Sequence, residues 1–116
     1  MKSDELKRRT KEFGLKIIRL LEDLPKSKVG DVIGRQLLRA ATSVGANYRA
    51  ACRARSQADF VSKICVVEEE ADEAAYWLEL LADAKMVNEA EISALLKEAD
   101  ELTAIFVASG KTAKEK

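Results

Sequence analysis

Histidine is absent from the 116-residue chain, so imidazole is unavailable as an acid–base group or metal ligand. Proline occurs once and glycine five times. A many-stranded sandwich or barrel needs a turn signal roughly every 8–12 residues, far more than this chain supplies. The two cysteines, Cys52 and Cys65, match no CxxC or zinc spacing and are too few for a disulfide framework. They are expected to act as small buried hydrophobes in a reducing cytosol. No apolar run approaches the ~20 residues that span a bilayer. Met1 to Arg9 is charged and lacks the apolar stretch of a secretory signal. A cytoplasmic protein with no membrane contact is therefore expected. There is no glycine-rich phosphate loop and no G-x-S-x-G.

Hydrophobic residues make up 47% and charged residues 34% of the chain, which suits one soluble globular domain over residues 1–116. The formal net charge is zero, yet the halves differ sharply. Residues 1–55 hold 14 basic and 6 acidic side chains, and residues 56–116 hold 6 basic and 14 acidic. Such asymmetry implies charge pairing within or between subunits, or a basic surface open to nucleic acid.

Four segments carry apolar residues at helical spacing. Leu6, Phe13, Ile17, Leu20 and Leu24 form the first stripe, broken at Leu24-Pro25 because the residue before proline is pushed out of the α region. Ile33, Leu37, Ala40, Val44, Tyr48 and Ala51 form the second. Phe60, Ile64, Val67, Ala71, Ala74, Leu78 and Ala82 form the third, after a capping signal of Ser56 with Asp59. Ile92, Leu95, Ala99, Leu102 and Phe106 form the fourth, after Asn88 with Glu91. Helices are expected over about 4–23, 29–53, 57–84 and 89–109, with a flexible tail at 110–116. Long helices on short links favour an all-α, antiparallel up-down-up-down four-helix bundle.

The outer faces carry the functional information. Opposite its stripe, the second helix presents Arg35, Arg39, Thr42, Ala46, Arg49 and Arg53. The arginine fork pairs bidentately with phosphate or carboxylate, so this face reads as solvated, phosphate-contacting or part of a subunit interface. Gly34, Ala41, Gly45 and Cys52 line the flank and imply close approach by another backbone, inside the bundle or from a neighbour. Asn47 falls on the apolar side, where a buried amide satisfies a specific bond and can fix helix register. On the third helix, Glu69, Asp72, Glu73, Glu79 and Asp83 surround Tyr76 and Leu80, with Val66 and Trp77 nearby. Apolar groups among acids suggest a partner surface. Pairing of the basic face with the acidic face of a second copy is heterologous, and such contacts close into rings when the rotation allows.

An acidic run can also hold Mg²⁺ for phosphate chemistry. Glu69-x-x-Asp72 and Glu79-x-x-x-Asp83 loosely resemble the all-α nucleotide pyrophosphatases, but the second spacing is wrong and no flanking Lys or Asp motif completes the set. A metal-dependent nucleotide hydrolase is thus the rival reading. An accessory subunit of a larger enzyme is a third.

Several stretches resemble one family: Leu24-Pro25-Lys26-Ser27, Gly34 to Ala40, Thr42-Ser43-Val44-Gly45-Ala46-Asn47-Tyr48-Arg49-Ala50-Ala51, Cys52 to Ser56 with Asp59-Phe60, and Glu70 to Glu73 with Tyr76 to Glu79. They are similar to the bacterial four-helix bundle proteins called 23S rRNA-intervening-sequence proteins, over roughly residues 10–112. The resemblance implies a ring-shaped homopentamer with no established enzymatic activity and no cofactor. It extends to the accessory variability proteins of diversity-generating retroelements, pentameric bundles that bind nucleic acid and a reverse transcriptase. Those are strongly basic, whereas this chain is neutral. The family's basic positions match Arg35, Arg39, Arg49 and Arg53, and its acidic and aromatic positions match Asp72, Glu73, Tyr76, Trp77 and Glu79. Expected partners are four further copies of the chain, RNA or another nucleic acid, and an unidentified protein.

Overall fold

Short polar side chains start three of the four helices in the computed structural model, which describes residues 2–115. Met1 and Lys116, at the ends of the expected domain and tail, lie outside the described residues. The first helix, α1 (Ser3–Glu22), has no side-chain cap, but Asp4 and Glu5 in its first turn complement the helix dipole. Ser27 Oγ accepts the Gly30 N–H at 2.9 Å and opens α2 (Lys28–Cys52). Ser56 Oγ accepts the Asp59 N–H at 3.0 Å and opens α3 (Gln57–Asp83). Asn88 Oδ1 accepts the Ala90 N–H at 2.9 Å and opens α4 (Glu89–Lys114). Each cap satisfies a donor that the helix itself cannot. The Asp59 carboxylate does not bond back to Ser56. It takes the Lys63 ammonium and the Arg55 N–H instead, and these hold its pKa below the ordinary 3.8.

The turn after α3 is a Schellman motif. Met86 N–H donates to Leu81 O and Lys85 N–H to Ala82 O, both at 3.0 Å, with Lys85 at φ 57° in the left-handed region. Met86 thereby turns inward to the core.

Consecutive helices run antiparallel. Gly45 of α2 faces Thr10 of α1, and Gly14 faces Ala41 and Thr42, so one helix advances as the other retreats. Gln57 Nε2 donates to Ala113 O, and Gly110 faces Ile64, which reverses α4 against α3. Arg9 closes α1 onto α4 by donating to Glu98 through Nε and Nη2, and to Glu101, each at 2.7 Å. The α1–α3 and α2–α4 pairs sit on the diagonals, where their backbones do not approach one another. The bundle measures 46 × 21 × 20 Å.

Phe13, Ile17, Leu37, Val44, Ile64, Leu78, Leu102 and Phe106 fill the core, with Tyr48 tilted against Phe106 at 5.4 Å. Most of the expected stripes are inside. Leu24, Ile33, Phe60 and Ala82 are only partly buried, and Leu81, outside the expected stripe, is fully buried. Three expectations are corrected. First, α4 continues through Lys114 where a tail was expected from 110, because Gly110 and Ala113 are buried against the start of α3. Second, Cys52 and Cys65 are half-exposed free thiols. Cys52 ends α2, and Cys65 lies about 100° round the helix from buried Ile64. Third, the buried polar residue is Thr10, whose hydroxyl donates to Leu6 O at 2.8 Å, and not Asn47.

Candidate functional site

The α2 face opposite the core is solvent-exposed along its length, including Arg35, Arg39, Arg49 and Arg53. Of these four, only Arg39 finds carboxylates among the described residues. Its Nη1 donates to Glu70 at 2.9 Å and its Nη2 to Glu73. These bonds, Glu70's first, raise its pKa above an already high value, so it is charged at every physiological pH. Glu73 also accepts the Trp77 Nε1–H at 3.1 Å, and the Trp77 ring meets Tyr76 edge-on at 5.1 Å. One connected path thus runs from α2 across to the aromatic pair of α3. Arg35, Arg49 and Arg53 make no ion pair among the described residues.

On α3 the outward line consists of Val66, Glu69, Glu73, Tyr76 and Leu80, at helical spacings of three and four. Val66 is 40% and Tyr76 52% exposed, whereas Trp77 and Leu80 are half-buried. Glu69, Asp72 and Glu79 are exposed and unpaired among the described residues. Among those residues no three His, Cys, Asp or Glu side chains converge on a point that could hold a metal ion. Successive acids along one helix splay apart, and Glu70 and Glu73 are already bound to Arg39. Asn47 is half-buried, and its Nδ2 donates to Ser43 O of its own helix at 2.8 Å. That bond is local and sets no register between helices.

The small flank of α2 is occupied from within. Gly34 faces Leu21, and Gly45 faces Thr10, both on α1. This close approach leaves an open cleft of about 630 Å³ along the outer seam of α1 and α2, floored by Gly14, Gly45 and Thr10. Leu15 and Ile18 line it on α1, and Lys7, Arg8, Lys11 and Arg49 contribute its charge. The sequence reading missed the α1 half of this site. Its signal was Lys7, Lys11, Gly14 and Ile18, a second helical line beside the core stripe.

Among the described residues no helix is long and apolar enough to cross a membrane. No curated protein matches the chain. A crystal structure of a protein of unknown function from the S23 ribosomal protein family of Bacteroides thetaiotaomicron VPI-5482 is similar, with a TM-score of 0.87 and 32% identity. The similarity covers 96% of this chain and 99% of that one. The family model described as 23S rRNA-intervening sequence protein matches residues 2–108, and the chain belongs to that family.

Proposed function

We propose that this chain is a non-catalytic, self-assembling scaffold, a homopentameric ring of four-helix bundles. The observation that carries this reading is the state of its outer faces. Leu15, Ile18, Leu38, Val66 and Tyr76 are each between 37% and 52% exposed, and they sit beside two segregated fields of opposite charge. Singly exposed apolar residues are ordinary, but apolar residues grouped among like charges mark a partner surface. Zero net charge lets many copies meet without accumulating repulsion.

A second reading adds RNA to the ring. It rests on Arg35, Arg49 and Arg53, which share one helix face and find no carboxylate within the subunit among the described residues. Native mass spectrometry of the purified protein tests both. The expected result is a species of five times the 12.8 kDa chain, and extra mass removed by RNase supports the RNA reading. A monomer at every protein concentration overturns the ring.

A further inference from the structure

The α1–α2 cleft and the outer line of α3 are complementary in shape, polarity and charge. The cleft is concave because Gly14 and Gly45 put no side chain into the seam. The α3 line is a helical ridge, convex by construction, and a helix with its side chains is about 10–12 Å across. Leu15 and Ile18, at 40% and 37% exposure, are matched by Val66 and Tyr76 on the ridge. Lys7, Lys11 and Arg49 flank the cleft without a carboxylate among the described residues. Glu69, Asp72 and Glu79 flank the ridge without a cation among the same residues.

We propose that the outer ridge of α3 in one copy of this chain seats in the α1–α2 cleft of a second copy. The inference rests on the self-assembly reading and says which surfaces meet. A single stranded or duplex nucleic acid would engage the basic rim but leave Leu15 and Ile18 in water and the acidic ridge unpartnered. A second copy covers both at once. Cleft and ridge belong to different helices, and α1 and α3 are diagonal in the bundle. The contact is therefore heterologous. Each copy offers one cleft and one ridge, so contacts propagate head to tail and close into a ring where the rotation between copies allows it. Tyr76 is the central anchor, because an aromatic ring buries much area with little side-chain entropy lost.

The test reverses charge on each surface separately. Lys11→Glu with Arg49→Glu alters the cleft, and Glu69→Lys with Asp72→Lys alters the ridge. All four side chains are exposed and unpaired among the described residues, so helical circular dichroism should be kept. Native mass spectrometry is expected to show each double variant falling to the 12.8 kDa monomer. A chain carrying all four substitutions should regain the wild-type mass. Mixing the two double variants should give alternating mixed complexes heavier than the 12.8 kDa monomer, though no five-membered ring, because strict alternation cannot close on an odd number; this keeps the test sound should the fourfold variant fold poorly. Wild-type protein that assembles while both double variants also assemble overturns this contact and leaves self-assembly standing. Wild-type protein that is monomeric overturns both. A cleft variant that loses bound RNA but keeps its assembled mass assigns the cleft to nucleic acid and overturns the proposal.

Discussion

Arg39 shows how a single residue decides between arrangements that a helical wheel leaves open. Its neighbours on the wheel, Arg35 and Arg49, differ from it by about 40° and 80°, yet among the described residues only Arg39 of these reaches α3 and is neutralised by Glu70 and Glu73. Gly45 is the other informative residue. A Cβ placed on it would lie 3.4 Å from Thr10 Oγ1 and 3.6 Å from the Thr10 carbonyl carbon, which is ordinary contact. Glycine inside a helix costs about 1 kcal/mol relative to alanine. Gly45→Ala should therefore raise the urea unfolding free energy by up to about 1 kcal/mol, and a loss of stability would show that α1 sits closer than described.

At the scale of elements, the helices are set by their ends more than by propensity. Ser27, Ser56 and Asn88 start three of them with side-chain acceptors. The exit of α3 makes the opposite choice to Gly45, with a lysine at the left-handed position where glycine is favoured. A side chain there costs roughly 1–2 kcal/mol. Lys85→Gly should stabilise the fold by about 0.5–1 kcal/mol, the strain relieved being partly offset by the freer unfolded chain. The check is thermal unfolding of a monomeric variant, and an unchanged or lower midpoint would mean that the lysine stem supports the turn.

At the scale of the whole molecule, the bundle separates charge by helix. α1 and α2 carry the basic groove and face, and α3 carries the acidic ridge. Surfaces of this kind attract at long range and are screened within about 8–10 Å at moderate salt. If copies join through them, the protein concentration at half-assembly should rise on going from low to high salt, by roughly tenfold, about 1.4 kcal/mol. Sedimentation across a salt series measures it. An assembly indifferent to salt would rest on Tyr76, Val66 and their apolar partners alone.

The four helices, their antiparallel order and most of the core were legible in the sequence, because burial imposes a period near 3.6 and caps use few residue types. Phe13, Ile17, Leu37, Val44 and Phe106 are inside for that reason. The basic and acidic faces were legible for the same reason, being what the stripe leaves out. The end of α4 was not, because small residues such as Gly110 and Ala113 carry no strong periodic signal and are ordered by the start of α3. Asn47 was misplaced because an amide on a helix flank can bond its own backbone as readily as another helix. Periodicity within one helix assigns a residue to a face. The partner across that face depends on how two helices approach: the glycines that bring α1 onto α2 shape the α1–α2 cleft, the packing of α3 on α2 makes the Arg39 bridge, and both are matters of tertiary structure alone.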